Sequence, residues 1–247
     1  MSFYVTLPSD SSMNYFSENK ISHFTTRLPQ PLDLKGEWEV GLTEFIYPHM
    51  WNNIYEGKNE FLYDNGTDGL MRVRIPAGYY QNPGDIIKYM NYHNFEGKIY
   101  LRYNKPSKKV KINLQKGARL HLLSGLAEKL GFLPGELGEN ELKPMGSYES
   151  AFSVDHNPDF KLLYVYSDLV ESQMVGDTFA PLLRVITVKG EDGDMIRELF
   201  DRPHYLPLNK KYFETIEIVI RTHTGDLVPF ERGTSIVKLH FRQKYLS

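Results

Sequence analysis

From Phe213 to Phe241 the chain reads FETIEIVIRTHTGDLVPFERGTSIVKLHF, with apolar residues at every second position of two separate runs. Ile216, Ile218 and Ile220 alternate with Glu217 and Arg221. After a Thr224-Gly225-Asp226 turn, Val237, Leu239 and Phe241 alternate with Lys238 and His240. A period of two puts successive side chains on opposite faces of a strand, so each run has one apolar face and one polar face. The pattern predicts two long strands lying side by side near the end of the chain. Neither carries a recognisable catalytic group, so a scaffold is the first expectation.

The same alternation returns throughout. Phe3, Val5 and Leu7 share one face of a first strand, and Phe24, Thr26 and Leu28 share one face of a second. Pro29 and Pro31 are expected to stop that second strand, because proline cannot donate to a ladder. In GEWEVGLTEFIYP, Trp38, Val40, Leu42 and Ile46 are assigned to the core, with Glu37, Glu39 and Thr43 opposite. Phe61–Tyr63 and Leu70–Ile75 flank DNGTDG as a hairpin, and further strands centre on Leu163 and Val185. Strand candidates near Phe3, Phe24, Val40, Leu62, Leu163, Val185, Ile218 and Leu239 make eight, the jelly-roll number for two packed antiparallel sheets. Trp38, Val40, Leu42, Ile216, Ile218, Ile220, Val237, Leu239 and Phe241 are the expected sheet core.

The texture changes after Ile75. Asn82-Pro83-Gly84-Asp85 before IIKYMNY is a helix start, with Asn82 as cap and Pro83 at the first helical position. Ile99, Leu101 and Tyr103 align on one strand, and Val110, Ile112 and Leu114 on the next. A short helix follows at SGLAEKLGF, with Ser124 as cap and Gly131 as a left-handed stop. The organisation expected is an all-β sandwich, a single jelly roll made of residues 1–71 and 151–247. An α+β insertion spans 72–132, and an exposed Gly-, Pro- and Glu-rich connection spans 133–150.

Composition narrows the function. The chain has 247 residues and no cysteine, which removes disulfides, thiolate metal sites and cysteine nucleophiles together. Its seventeen tyrosines and fourteen phenylalanines favour strands. A net charge of −2 gives no argument for general nucleic-acid affinity. The first residues, MSFYVTLPSDSSM, show no secretory pattern, and no apolar run approaches the roughly 20 residues of a membrane span. The histidines never form His-x-His or His-Glu-x-x-His, and no nucleophile elbow or phosphate loop occurs. In DNGTDG, Asp64, Asp68 and Gly69 imitate the start of a calcium loop, but Gly66 and Ile75 stand where ligands are needed, so a turn is the better reading. Lys105, Lys108, Lys109, Lys111, Lys116 and Arg119 form one basic cluster near Tyr100 and Tyr103. Protection of a sheet edge is favoured for it over contact with a phosphate backbone, so direct DNA contact is not expected. No enzyme activity, cofactor or metal is expected.

Three stretches carry a resemblance: SFYVTLPSDSSM…NKISHFTTRLPQPLDLKGEWEVGLTEFIYP, SDLVESQMVGDTFAPLLRVITVKG and YFETIEIVIRTHTGDLVPFERGTSIVKLHFR, in this order. With AGYYQNPGDIIKYMN and LAEKLGF, the chain resembles the minor capsid protein, or penton, of Polinton/Maverick elements and adintoviruses. The resemblance implies a jelly-roll protein that forms homopentamers at icosahedral capsid vertices, beside a double-jelly-roll major capsid protein, and it brings no catalytic residues. The insertion departs from a bare jelly roll; contact with a host receptor and packing against neighbouring capsomers are both open for it. Trp51, Tyr55, Tyr148, Phe152 and Phe179, aromatic residues outside clear strand cores, are the candidates for the contact between subunits. The alternative is a jelly-roll module that binds carbohydrate or a receptor without a capsid role. A β-sandwich hydrolase or lyase would need a cleft with paired carboxylates or a metal.

Overall fold

The computed structural model describes residues 1–67, 69–93, 97–123, 125–133, 145–154 and 161–244. Two compact units emerge, Met1–Trp51 with Phe160–Ser247, and Asn52–Asp159. The first unit opens with β1 (Ser2–Pro8), β2 (His23–Asp33) and β3 (Trp38–Pro48). The second unit holds β4 (Glu60–Asp64), β5 (Leu70–Arg74), α1 (Pro83–Tyr92), β6 (Ile99–Asn104), β7 (Lys109–Leu114), β8 (Arg119–Leu122), α2 (Leu126–Lys129) and β9 (Gly146–Glu149). The chain then returns to the first unit with β10 (Leu162–Ser167), β11 (Gln173–Val175), β12 (Thr178–Ala180), β13 (Leu182–Thr187) and β14 (Met195–Leu199). It closes with β15 (Leu206–Pro207), β16 (Tyr212–Arg221) and β17 (Ile236–Gln243).

The first unit is a nested hairpin rolled into a sandwich. Four antiparallel pairs nest inside one another: β1 with β17, β2 with β16, β3 with β14, and β10 with β13. Rolling that ribbon brings β17 against β3 and β16 against β10. The result is two sheets in the orders β1-β17-β3-β14 and β13-β10-β16-β2, with β15 also on β3. This is the jelly-roll arrangement, and the sequence count of eight matches it in number but not in membership. The strand around Leu62, β4, belongs to the second unit, and β14 takes the vacant place. MIREL escapes the alternation test because both of its faces carry apolar residues.

Trp38, Val40, Leu42, Ile216, Ile218, Ile220, Val237, Leu239 and Phe241 are all buried in one cluster between the two sheets. β16 and β17 are not side by side. They lie in different sheets, and each turns its apolar face inward across the core. Burying a side chain of this size contributes about 1.5–3 kcal/mol, so these residues dominate the sandwich. In β3 the alternation inverts. The β17 register slips between Lys238 and Leu239, from Glu44 to Leu42, leaving Thr43 as the extra residue of a bulge. A one-residue slip exchanges the faces, so Phe45 and Tyr47 are buried while Ile46 is only half-buried. The prolines of β2 do not end it either: pairing with β16 skips from Arg27 to Leu32, and the strand runs on to Asp33. β2 is an edge strand, where a missing donor costs no ladder bond.

The division between units falls at Trp51 and Asn52, where the sequence reading put it after Met71. The second unit extends to Asp159, past the expected end at Phe132. The stretch expected as an exposed connection includes β9, which pairs with β7; residues 134–144 of that stretch lie outside the described residues. Two three-stranded sheets, β5-β4-β8 and β6-β7-β9, and the two helices surround a separate core that includes Phe61, Ile75, Met90, Leu101, Ile112 and Phe132. Asn82 caps α1, accepting from the Gly84 amide at 2.8 Å with Pro83 in the first turn. α1 packs on β6, where Asn91 donates to the Leu101 carbonyl at 2.8 Å and accepts from its amide at 3.0 Å. Gly125 occupies the cap position of α2, and Ser124 lies outside the described residues, as does Asp68. Gly131 has φ +82°, and a Cβ there would sit 2.3 Å from the Phe152 carbonyl oxygen, so only glycine fits that stop. Among the described residues no helix is long and apolar enough to cross a membrane.

Candidate functional site

The rolled ribbon leaves two flanks on the jelly-roll unit. One ends in β1 and β2, the other in β13 and β14, so the two flanks present different residues. On the first, Tyr4 is 60% exposed; it stacks on His240 at 4.5 Å, with Lys238 Nζ 5.4 Å from its ring centroid. Exposed Tyr15, on the β1–β2 connection, lies 4.5 Å under the Arg27 guanidinium. On the second flank Val185, Met195 and Leu199 are exposed beside Arg184, whose guanidinium lies 4.0 Å over Phe200. Burial lowers the Arg184 pKa from its ordinary value.

Between β10 and β13 the chain makes the β11–β12 hairpin, in which Met174 and Phe179 are directly opposed. They are 79% and 72% exposed, so a small ladder holds two apolar side chains out in water. Gln173 ties its base by donating to the Leu182 carbonyl at 2.5 Å.

The residues singled out for a subunit contact scatter. Trp51 is 1% exposed, stacked on His49 at 4.3 Å and tilted against Phe230 at 5.8 Å, so it fills the sandwich core and offers no surface. Tyr55 and Tyr148 are half-buried, and with exposed Phe152 they belong to the second unit. Of the five, only Phe179 is both exposed and on the jelly roll. Met174, Tyr4, Val185, Met195 and Leu199 are further exposed apolar residues of the jelly-roll unit that the sequence pattern does not single out. Exposure of an apolar strand residue depends on which strands are at an edge, and the sequence does not show that.

Several carboxylates are held by cations. Arg197 is 2.5 Å from Glu44, with Lys238 at 3.7 Å on its other oxygen, and the Arg197 hydrogen bond keeps the carboxyl below the usual range. Arg74 does the same for Glu60 at 2.6 Å, and Arg119 for Asp64 at 2.6 Å. A general acid needs the opposite shift, a carboxyl pushed up toward neutral pH. Among the described residues no three His, Cys, Asp or Glu side chains gather as a metal site requires. His240 has its pKa lowered, first by burial and then by Arg242; its Nδ1 lies 2.7 Å from the Tyr205 hydroxyl.

The basic cluster divides. Arg119 is paired with Asp64 on β8, whereas Lys105 and Lys108 occupy the β6–β7 turn, and Lys109 and Lys111 the outer face of β7. Tyr100 is exposed on that face, and Tyr103 packs on the core below.

No family model matches the sequence, and no curated protein matches it. The chain is similar in structure to the mavirus penton protein, known from a crystal structure of its selenomethionine-labelled form. The TM-score is 0.54 at 13% identity, over 98% of this chain and 99% of that one. The fold is a jelly roll shared with a penton protein. Coverage of both chains is nearly complete, so the likeness takes in the inserted unit as well as the sandwich.

Proposed function

We propose that this chain is a penton-type minor capsid protein, five copies of which close around an icosahedral vertex beside a double-jelly-roll major capsid protein. The observation that carries the reading is the full-length likeness to a penton protein over a chain interrupted by a second unit. The sequence resemblance to pentons of Polinton/Maverick elements and adintoviruses supports it independently. Two unlike flanks suit a ring, because a cyclic contact joins one patch of a protomer to a different patch of the next. Tyr4 and Tyr15 on one side, and Val185, Met195 and Leu199 on the other, supply the exposed apolar side chains such a contact buries. The Met174–Phe179 hairpin is a second apolar contact. The place of action on this reading is the virion.

Light scattering behind a sizing column tests the proposal. The expected particle has five times the 28.7 kDa mass of one chain, and Val185→Asp with Leu199→Asp returns it to one chain without loss of the far-ultraviolet strand signal. A strict monomer at high concentration, both alone and mixed with a double-jelly-roll capsid protein, overturns it.

A further inference from the structure

In the named strands, charged residues that face each other directly are almost always opposite in sign. Lys238 faces Glu44, Arg242 faces Glu39, Arg74 faces Glu60 and Arg119 faces Asp64, and each of these pairs closes an ion pair. The exception is on the second unit, where Arg102 of β6 faces Lys111 of β7. Directly opposed residues have Cβ atoms about 4.5–5.5 Å apart, and like charges at that distance destabilise a sheet. Glu149 on β9 is the other neighbour of Lys111, yet it closes no ion pair with it. Among the described residues none of Arg102, Lys105, Lys108, Lys109 and Lys111 is paired with a carboxylate.

The turn adds a second departure from the cheapest sequence. Lys108 has φ +55°, in the left-handed region where glycine or asparagine carries little penalty. A lysine there keeps a positive charge at the end of the hairpin at a cost in backbone strain. Along the outer face the cations run from Arg102 and Lys111, through Lys109, to Lys105 and Lys108. Residues two apart on a strand are about 7 Å apart, so the strip is roughly 15 Å long. Exposed Tyr100 and Ser147, with half-buried Asn113, lie at its other end, and Ser147 donates to Asn113 at 2.9 Å.

We propose that the outer face of the β6–β7–β9 sheet binds a sulfated polysaccharide. Charge complementarity selects an anionic chain, since this face and its turn carry five cations against one carboxylate, Glu149, in a protein whose net charge is −2. The neutral side chains choose between kinds of polyanion. Single-stranded nucleic acid is held by successive aromatic platforms, and this face exposes one aromatic, Tyr100. Asn104, Asn113 and Ser147 instead match a chain rich in hydroxyl groups. The site lies wholly within one unit of one chain, so its binding test does not require ring formation.

The test measures binding of the full-length protein to immobilised heparin, to fully desulfated heparin and to a single-stranded oligonucleotide, at physiological ionic strength and above. Heparin binding that falls steeply with salt, and at least tenfold weaker binding to the other two, is expected. Arg102→Glu with Lys109→Glu should lower heparin affinity at least tenfold while the melting temperature holds or rises, because a carboxylate at position 102, on the edge strand β6, then faces Lys111. Tyr100→Ala should lower it several-fold. Undiminished binding by the charge-reversed variant, equal binding to desulfated heparin, tighter binding to the oligonucleotide, or no heparin binding by the parent protein would each overturn the proposal.

Discussion

The two units solve closure of a core in different ways. The sandwich core draws on residues from Leu7 to Phe241, and its outermost pair, β1 with β17, joins the two ends of the chain. The second core is assembled between Ile54 and Val154, from one continuous stretch. The second unit therefore needs only local closure, while the sandwich must bring distant strands together, which is slower and entropically dearer. Their surfaces differ in the same sense. The β3–β17 face lines its charges up in opposed pairs, and among the described residues the β6–β7 cations have no carboxylate partner.

Cavity-forming variants test that separation most strongly. Phe241→Ala should destabilise the sandwich, and Phe61→Ala the second unit, each by about 3–5 kcal/mol. Denaturant unfolding followed by tryptophan fluorescence reports the sandwich alone, because Trp38 and Trp51 both lie in it. Phe241→Ala should move the fluorescence midpoint, and Phe61→Ala should move mainly the part of the circular-dichroism transition that fluorescence does not see. Equal movement of both signals by both variants would mean one cooperative unit.

Acid separates the units more gently. The lowered pKa of His240 means the unfolded chain binds the proton more readily, so this contribution is complete above about pH 6.5 and erodes as pH falls below it. Glu44, Glu60 and Asp64 have lowered pKa values too, so their contributions hold above the ordinary carboxylate range, about pH 4, and fade below it in both units. Thermal melts should show the sandwich weakening first, and His240→Gln should abolish the earlier phase. Simultaneous onset in both units would break the distinction.

Single charges give the smallest effects. Glu44→Gln removes the partner of Arg197 and Lys238 and should cost about 0.5–1 kcal/mol, the scale of exposed pairs. On the other unit the sign reverses: Arg102→Glu, which sets a carboxylate opposite Lys111 on the edge strand β6, should stabilise by about 0.2–1 kcal/mol, and Lys108→Gly by a similar amount through relief of the left-handed backbone. Chemical denaturation resolves both, and destabilisation by Arg102→Glu would show that Arg102 is not strained by its neighbour Lys111.

Much of this was readable from the residues. Alternation identified β16, β17 and the core they share, because a period of two is a local property of a strand with one wet face. The Asn82-Pro83 start of α1 and the glycine stop at Gly131 were equally local. What the alternation could not say is which strands are neighbours. Whether β16 and β17 pair or face each other across a core depends on partners far away in sequence, and both arrangements need the same apolar face. The inversion at Thr43, the survival of β2 past its prolines and the recruitment of β14 all follow from register and edge position, which only the assembled sheets define. Surface candidates suffered most: an aromatic residue outside a clear strand is indistinguishable in sequence from one that plugs the core. Trp51 proved to be the plug and Phe179 the exposed tip. The chain itself determined that it would make amphipathic strands around an apolar interior. Tertiary structure decided which residues are left facing outward, because exposure is settled by the neighbours a residue acquires.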